Sequence, residues 1–364
     1  MNDNVFEVDG SVMEGGGQII RMSIAFAALL KKPINLTKIR AGRTKPGLQA
    51  QHLNGIQLAA ELCGARVDGC NLQSTQVQFV PGSASKLSSF VADTKTAGAT
   101  TLLAQVALPC ALLGMNSATR LDLKGGTNAE FAPQVEYYSQ VFLPTLKKFG
   151  VSTKCNVIRK GYFPKGGGQI LLDVSPVKEL QPIDLTDFGD VKSVNICASV
   201  AGILNVKLAQ EMARGAKDVL VEFLGRQSNV RVSVDAFKEN EAFGNGNSIL
   251  IIAETSTGCV LGSGRIGSRG KSGAELGIEA AEELIGSLKI RACLDQYLQD
   301  QTIIYMALAG GVSRVRTGPL TLHTKTAIHI AEMLSGASFK VEQSESEKDV
   351  HFIECRGISF KNES

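Results

Sequence analysis

The chain contains no tryptophan, and aromatic residues make up only 5% of its 364 residues. Proteins that stack many unpaired bases present many aromatic rings, so the composition argues against an open platform for stacking many bases. A large excess of charge of one sign is also missing, because the formal net charge is only +3. Sequence-blind binding along a duplex needs many phosphate contacts and is therefore not expected. A single phosphorylated end remains a possible ligand.

Signals for secretion and for membrane insertion are missing as well. The eight cysteines are scattered without a CxxC pair, and no secretory leader precedes them. We therefore expect reduced thiols in an intracellular protein. The most apolar run, residues 102–115, is interrupted by Gln105 and is shorter than the roughly 20 residues that span a bilayer. No membrane contact is expected.

The chain does contain enough apolar residues, 44% of the total, for about two domains with real cores. Three stretches share the order helix, strand, strand, and their helix-like segments lie at residues 47–64, 132–150 and 324–337. The pentapeptide GGGQI occurs at residues 15–19 and again at residues 166–170. This pattern predicts an α+β fold of repeated helix-on-sheet units, because each unit alone leaves an apolar face uncovered.

The pattern changes between Pro182 and about Gly270. A strand-like and then a helix-like segment are followed there by segments rich in β-branched residues around Val230, Leu250 and Val260, which predicts a smaller inserted α+β domain. We expect a main domain formed by residues 1–184 and 272–364, with the insertion at residues 185–271.

The most informative stretch is DGSVMEGGGQIIR at residues 9–21, where Glu14 and Arg21 flank three consecutive glycines. Glycines let backbone N–H groups approach a bound anion, a carboxylate can hold a divalent metal, and a guanidinium can form two hydrogen bonds to phosphate. The stretch matches neither the Walker loop nor the Rossmann fingerprint. It is the edge of a nucleotide pocket or a plain hairpin turn.

Only four histidines are present, which limits the candidates for a base or nucleophile. His329 is expected on a helix surface, His351 inside a strand, and His52 in a half-buried position near a basic turn. His323 precedes Thr324, a candidate N-cap for the helix that follows. The positive end of a helix dipole attracts phosphate and disfavours imidazolium, so a ring nitrogen of His323 would stay free for attack on phosphorus. A structural role is the alternative.

Two further groups of polar residues stand out. Gln105 is a single amide in an apolar, helix-like run, where an unpaired polar group costs about 1–3 kcal/mol. Its partner is either backbone or a ligand phosphate. Tyr297, Asp300 and Gln301 have the i, i+3, i+4 spacing that puts an aromatic ring and a carboxylate on one helical face. An ordinary, partly exposed helix has the same pattern.

Taken in order, these motifs resemble those of the RNA 3'-terminal phosphate cyclase family, nearly from end to end. The matching blocks are DGSVMEGGGQIIR, IRAGRTKPGLQAQHL, ADTKTAG, KGGTNAE, GYFPKGGGQI, AFGNGN, ETSTGC, YLQDQ and GPLTLHT. The resemblance implies repeated units like the C-terminal domain of a bacterial translation initiation factor, with one inserted smaller domain.

The resemblance also implies an ATP-driven enzyme that turns an RNA 3'-phosphate into a 2',3'-cyclic phosphate. His323 matches the nucleophile that accepts AMP from ATP and passes it to the RNA 3'-phosphate before the 2'-OH closes the ring. Glu14 matches the carboxylate that holds a divalent metal, Mg²⁺ or Mn²⁺. Arg21 and Gln105 match residues near the ATP phosphates.

The remaining matches concern adenine and the RNA end. Pro133 and Tyr297 match the pair that sandwiches adenine, and Asp300 and Gln301 match neighbouring positions of the ATP site. Candidates for recognition of the RNA-end phosphate are Arg40, Arg43, Gln51 and His52.

Two other functions stay open. One is an RNA-binding assembly factor without chemistry, because the family has a branch that acts in ribosomal RNA maturation and lacks the histidine. This chain retains His323, which favours the catalytic branch. The other is a transferase of the enolpyruvyl type, which has a similar repeated architecture and uses no adenylated histidine. The nucleus is the expected compartment, with the cytosol as the alternative.

Overall fold

The computed structural model describes residues 5–225, 229–268 and 270–363. Within these ranges the strands form four sheets of four strands each, and helices pack against them. The predicted α+β class is therefore confirmed. No helix of the described residues combines the length and the apolar character that crossing a membrane requires.

The first two sheets are built from the same order of elements: strand, helix, strand, helix, strand, strand. The first unit consists of β1 (Phe6–Asp9), α1 (Gly17–Leu30), β2 (Ile34–Thr37), α2 (Ala50–Cys63), β3 (Arg66–Asp68) and β4 (Val77–Val80). The second unit consists of β5 (Ser89–Asp93), α3 (Thr100–Gly114), β6 (Thr119–Gly125), α4 (Val135–Tyr137), a π-helical turn (Tyr138–Phe142), α5 (Leu143–Lys147), β7 (Thr153–Arg159) and β8 (Gly168–Val174).

A third unit begins with β9 (Asp184–Leu185) and is then interrupted by other elements. These are β10 (Val191–Ala201), α6 (Val206–Leu224), β11 (Arg231–Glu239), β12 (Gly246–Thr255), β13 (Val260–Ile266) and α7 (Gly273–Lys289). The unit resumes with α8 (Gln296–Leu308), β14 (Val312–Thr317), α9 (Leu322–Ser335), β15 (Ser338–Gln343) and β16 (His351–Arg356).

The three repeated sheets have one topology. Their strand orders are β1-β2-β4-β3, β5-β6-β8-β7 and β9-β14-β16-β15. In each, the first two strands are parallel and the other pairings are antiparallel. The predicted order helix, strand, strand is correct, and it forms the second half of this larger unit. The elements β10 to α7 lie between the first strand of the third unit and its first helix.

The inserted elements form the fourth sheet, of order β11-β10-β12-β13, with α6 and α7 packed together. Two glycines let these helices approach closely. A Cβ on Gly215 of α6 would lie 2.6 Å from the carbonyl oxygen of Ala274, and a Cβ on Gly277 of α7 would lie 2.9 Å from the backbone nitrogen of Ala216. Helix α7, which the predicted boundary at residue 271 assigns to the main domain, therefore packs closely on α6.

The two copies of GGGQI belong to different kinds of element. The first copy ends inside α1, which begins at Gly17, whereas the second runs into strand β8, which begins at Gly168. The pentapeptide is therefore not itself the structural repeat. Packing around each copy decides its conformation, as is usual for short segments.

Candidate active site

Several helices have their N-terminal ends on the same side of the molecule. The side chain of Gln51, at the start of α2, accepts a 3.1 Å hydrogen bond from the N–H of Ala99, the residue before α3. The N–H of Glu14, ahead of α1, donates to Oγ1 of Thr326 near the start of α9 at 3.3 Å. Free N–H groups and positive dipole ends attract anions. The arrangement suits a ligand with several negative charges.

The glycine stretch leads from a strand into a helix. Because β1 and β2 are parallel neighbours with α1 between them, the hairpin-turn alternative is wrong. A Cβ added to Gly17 would lie 2.7 Å from Nη1 of Arg21 and 2.8 Å from Nε2 of His52. Only glycine therefore keeps open the space between the backbone of residue 17 and the side chains of Arg21 and His52.

Glu14 forms an ion pair with Arg43 through Oε1, while its Oε2 is buried without a hydrogen-bond partner. The side chain is only 8% exposed. Within the described residues, no three His, Cys, Asp or Glu side chains are grouped to hold a metal. Mg²⁺ bound to a nucleotide needs only one or two carboxylates, since phosphates and water complete its shell. The free Oε2 atom fits that requirement.

A small cavity brings together four of the residues predicted to bind ATP. Arg21, Gln105, Asp300 and Gln301 all line it. Gln105 is only partly buried there, whereas Oε1 of Gln301 is buried without a hydrogen-bond partner. The ligand phosphate foreseen as a partner of Gln105 stays a prediction.

The charges around this cavity are strongly coupled. Burial lowers the pKa of Arg21, and the nearby carboxylates of Asp300 and Glu14 oppose that effect. Burial also raises the pKa of Asp300 to about 7, against the attraction of Arg21. Near neutral pH the Asp300 carboxyl is therefore present in both its protonated and its ionised form, whereas Arg21 stays charged because its ordinary pKa is so high.

His52 is buried, more deeply than the half-buried position predicted for it. Burial and the charges of Arg21 and Arg40 lower its pKa to about 3, so the ring is neutral. Nδ1 accepts a hydrogen bond from the N–H of Gln49 at 3.1 Å. The proton therefore lies on Nε2, which points a donor toward the open space above Gly17.

Arg40 and Arg43, two of the residues predicted to bind the RNA end, lie in the basic turn after β2. Arg43 is exposed and bound to Glu14, as described above. Nη1 of Arg40 donates to the carbonyl oxygens of Lys45 and Gly47 at 2.6 and 2.9 Å. Burial lowers the pKa of Arg40, Arg43 lowers it further, and Glu14 raises it. The turn thus brings positive charge to the edge of the glycine stretch.

His323 lies in the first turn of α9, with its side chain exposed to solvent. The N-cap of α9 is Thr321, whose side chain accepts from the N–H of Thr324 at 3.1 Å. The prediction of Thr324 as N-cap is therefore wrong, and His323 is inside the helix rather than before it. Gln299 of α8 holds this turn, since its Oε1 accepts from Oγ1 of Thr324 at 2.9 Å and from the N–H of Thr321 at 3.3 Å.

The environment of His323 favours a neutral ring. Partial loss of hydration lowers its pKa, with contributions in the same direction from Arg21 and Arg43, while Glu14 raises it. Each of these charges belongs to the glycine stretch or to the basic turn. His323 therefore lies within electrostatic reach of the residues predicted to accompany it, one helical turn before Thr326, the partner of Glu14.

Tyr297 lies where the main body meets the inserted elements. Its hydroxyl donates to Oε1 of Glu283 in α7 at 3.0 Å, and its ring meets the edge of Tyr137, with centroids 5.7 Å apart. Pro133 lies two residues before α4, the helix of Tyr137, and its carbonyl oxygen accepts from Thr101 Oγ1 at 2.8 Å. Sandwiching of adenine between Pro133 and Tyr297 stays a prediction.

The other two histidines lie where the sequence pattern suggested. His329 is exposed on α9, and His351 lies in β16. Three polar residues that support the site were not predicted. Gln18 accepts from Nη2 of Arg21 at 2.7 Å, while Gln299 and Thr326 tie α9 to its neighbours. Their partners are distant in sequence, except for that of Gln18, which the i, i+3 spacing to Arg21 could have revealed.

A larger cavity lies at the opposite ends of α1, α2 and α3, and residues such as Leu30, Cys63 and Gly114 line it. Carbonyl groups and negative dipole ends prevail at helix C-termini. That cavity therefore does not suit a polyphosphate, and the N-terminal ends remain the candidate site.

Comparison with known proteins agrees with the blocks noted in the sequence. Residues 12–341 match a family model described as RNA 3'-terminal phosphate cyclase. A protein of that name from Drosophila melanogaster is 40% identical over 362 residues, which covers 99% of this chain and 98% of the relative. One from Pyrobaculum neutrophilum is 38% identical over 355 residues, covering 97% and 99%. The chain therefore belongs to the RNA 3'-terminal phosphate cyclase family.

Proposed function

We propose that this protein converts the 3'-phosphate of an RNA end into a 2',3'-cyclic phosphate, with ATP as the energy source and a histidyl-AMP and an RNA-adenylate as intermediates. The observation that carries the proposal is the position of His323. The exposed ring of His323 lies in the first turn of α9, and Thr326 of the same helix accepts a hydrogen bond from the backbone N–H of Glu14. The charges of Glu14 and Arg21 act on the His323 ring.

In the first step, the unprotonated ring nitrogen of His323 attacks the α-phosphorus of ATP. A nitrogen–phosphorus bond forms, the bond to the bridging oxygen breaks, and pyrophosphate leaves. Charge grows on the phosphoryl oxygens in this step, so cationic and N–H groups fixed in advance lower its barrier. Arg21, the Nε2–H of His52 and the N-terminal N–H groups of α9 would supply them.

In the second step, an oxygen of the RNA 3'-phosphate attacks the phosphorus bound to His323. The nitrogen–phosphorus bond breaks, AMP passes to the RNA as an anhydride, and the neutral imidazole is restored. In the third step, the adjacent 2'-OH loses its proton and attacks the 3'-phosphorus, and AMP leaves as the ring closes. Arg40, Arg43, Gln51 and His52 would hold the RNA phosphate.

ATP itself would lie along the small cavity. Gln105, Asp300 and Gln301 would join Arg21 around the nucleotide, with adenine between Pro133 and Tyr297. Glu14 would hold Mg²⁺ or Mn²⁺ jointly with the ATP phosphates, and the metal would neutralise part of their charge. Because Arg43 now pairs with Glu14, we infer that Arg43 turns toward phosphate when metal and ATP are bound.

Three further expectations, about the repeated units, the domain boundaries and the compartment, accompany this proposal. We infer that the repeated units resemble the C-terminal domain of a bacterial translation initiation factor, and that residues 185–271, on which α7 packs, form a domain inserted between residues 1–184 and 272–364. We also infer an intracellular enzyme, in the nucleus rather than the cytosol. Fractionation of cells that express a tagged chain would test the compartment.

An RNA-end assay tests the proposed reaction. A 5'-labelled oligonucleotide with a 3'-phosphate is incubated with the protein, ATP and Mg²⁺, and the product is treated with phosphatase. We expect an end that resists phosphatase and forms only when ATP is present. An assembly factor would bind the RNA without changing it, and a transferase of the enolpyruvyl type would act without ATP. Either result would contradict the proposal.

A further inference from the structure

Two phenylalanine side chains reach solvent beside a pair of cations outside the cavity described above. Phe163 is 75% exposed and Phe243 is 42% exposed. Cζ of Arg159 lies 5.4 Å from the centre of the Phe243 ring, and Nζ of Lys165 lies 5.8 Å from it. Large exposed aromatic rings forgo burial in the core, and rings beside cations are typical of surfaces that bind unpaired bases and their phosphates.

The segment that carries Phe163, residues 161–168, is called the Phe163 loop. It is fastened at both ends. The N–H of Gly161 donates to Oγ1 of Thr127 at 3.1 Å, and the carbonyl oxygen of Gly167 accepts from Nε of Arg159 at 2.9 Å. The ring of Phe163 is therefore exposed on a well-anchored loop, which limits the entropy lost when a ligand binds.

Two glycines of the loop allow close contacts on either side. Gly166 and Gly167 have φ of +65° and +70°, a region that favours glycine. A Cβ on Gly166 would lie 2.7 Å from the carbonyl carbon of Thr96, and one on Gly167 would lie 2.8 Å from Cε1 of Phe243. The Phe163 loop is thus packed between the Phe243 ring and the segment of residues 94–98.

That segment connects the loop to the candidate site. A Cβ on Gly98 would lie 3.2 Å from Cβ of Gln51, and the N–H of Ala99 donates to Gln51 Oε1 at 3.1 Å. Gln51 is one of the residues assigned to the RNA-end phosphate. A continuous surface therefore runs from Gln51 over residues 94–98 to the Phe163 loop.

We propose that this surface binds the unpaired RNA segment immediately upstream of the 3'-phosphate, with one base stacked on Phe163 and the backbone phosphates near Lys165 and Arg159. The inference rests on the proposed function, which fixes the RNA end beside Gln51. Charge complementarity favours RNA, since Lys95, Arg159 and Lys165 are all exposed along the surface. One or two exposed rings match a short single-stranded stretch, not a long one.

Binding of a labelled, unstructured oligonucleotide with a 3'-phosphate, followed by fluorescence anisotropy, tests the stacking. Phe163→Ala should weaken this binding on the order of 5-fold to 100-fold, the range of one lost base stack. Inhibition by a nucleoside 3'-phosphate, which lacks an upstream base, should stay unchanged. Leu87→Ala is the matched control. Leu87 is 63% exposed and lies ahead of β5, at the end of that strand away from residues 94–98, so the change should leave the binding of both ligands unaffected.

The charge contribution has its own measurement. Each phosphate contact adds about 0.7 to the slope of log affinity against log salt for a single strand. Lys165→Gln should therefore reduce that slope by about 0.7, whereas Lys86→Gln, at an exposed position beside Leu87, should leave it unchanged.

The outcomes separate the two proposals. If the wild type binds the oligonucleotide through Phe163 but does not cyclise it, the surface stands and the proposed reaction is wrong. If the wild type cyclises RNA while Phe163→Ala binds the oligonucleotide as tightly as wild type, the surface is wrong. An equal loss of affinity of Phe163→Ala for the oligonucleotide and for the nucleoside 3'-phosphate would also overturn the proposed surface, because the lost affinity would then not come from an upstream base.

Discussion

Gly17 is the residue whose small size the candidate site most clearly requires. Its backbone conformation is accessible to any residue, so alanine would be tolerated in the helix, but the added Cβ would lie 2.7 Å from Nη1 of Arg21. Arg21 would have to move away from the place where we propose that the ATP phosphates bind. We expect Gly17→Ala to weaken ATP binding by about tenfold or more, the loss of one hydrogen bond to a charged group. Isothermal titration with a non-hydrolysable ATP analogue measures this.

The matched control is Gly286→Ala in the exposed face of α7, where a Cβ would meet nothing within 4 Å. This change should stabilise the protein by about 0.5–1 kcal/mol through helix propensity and leave ATP binding unchanged. Equal ATP affinity in Gly17→Ala and wild type would contradict the assignment of Arg21.

Asp300 makes stability depend on pH. Its pKa is raised from 3.8 to about 7, chiefly by burial, so between these values the folded state keeps a proton that the unfolded state has lost. The free energy that the protonated Asp300 carboxyl contributes to folding is therefore fully present below pH 3.8 and is lost as the pH rises toward 7. Asp300→Asn should be more stable than wild type at pH 8, by on the order of 4 kcal/mol, and nearly equal at pH 4. Urea unfolding at both pH values checks this, and a difference independent of pH would contradict it.

The chemistry of single residues could be predicted from the sequence more completely than the contacts that these residues make. The types and order of Glu14, Arg21 and His323 pointed to phosphate chemistry, and the structure brings all three within electrostatic reach. The roles of Gln299 and Thr326 could not be read, because each acts on a partner in another element. The N-cap of α9 was misassigned by three residues, since Thr321 and Thr324 are both acceptable caps and only packing against Gln299 distinguishes them.

The start of α9 is the element whose position the proposed chemistry depends on most. Thr321→Ala removes its N-cap and should cost about 1 kcal/mol of stability. Asn205→Ala removes the N-cap of α6, where the Asn side chain accepts from the N–H of Lys207 at 2.9 Å, and should cost a similar amount. Only Thr321→Ala should slow self-adenylation, by on the order of tenfold or more, because it loosens the turn that holds His323.

Thermal unfolding and single-turnover labelling of both variants measure these effects. If the two variants lose stability equally and adenylate at the wild-type rate, the start of α9 has no special role in catalysis.

Helices and strands were well predicted where the hydrophobic period was clear. Helix α2 was expected at residues 47–64 and is found at Ala50–Cys63, and the strands after each repeated helix are present. GGGQI shows the limit of local patterns, because it leads into a helix in one copy and a strand in the other. The difference lies in the partners, since α1 packs on other helices whereas β8 is paired on both sides in a sheet.

The arrangement of the units in space was only partly accessible. The repeat and the change of pattern after Pro182 could be predicted, but the strand order that the three repeated sheets share could not. β9 has only two residues, too few for a periodic signal, and its pairing with β14 joins segments more than a hundred residues apart. Such pairings are set by the whole fold.

The junction between the insertion and the second unit carries a buried charge network. Nζ of Lys160, whose side chain is 11% exposed, pairs with Glu136 in α4 and with Glu239 at the end of β11. Lys160→Met would leave two carboxylates buried without a cation and should cost roughly 3–5 kcal/mol. Adding Glu136→Gln and Glu239→Gln should restore most of the loss.

Urea unfolding of the single and triple variants measures this cost. Lys38→Met is the control, since Lys38 pairs with Asp9 at the surface, where its side chain is 63% exposed, and the change should have little effect. A Lys160→Met protein as stable as Lys38→Met would show that the network does not hold the insertion in place.

The most direct test is covalent labelling with ATP carrying a labelled α-phosphate, in the absence of RNA. We expect the wild type to acquire a label that acid removes and alkali does not, as a phosphorus–nitrogen bond requires, and that maps to the peptide containing His323. His323→Ala should acquire none, whereas His329→Ala, altered at an exposed position of the same helix, should be labelled like wild type. A wild type without label, or a label retained in His323→Ala, would contradict the account.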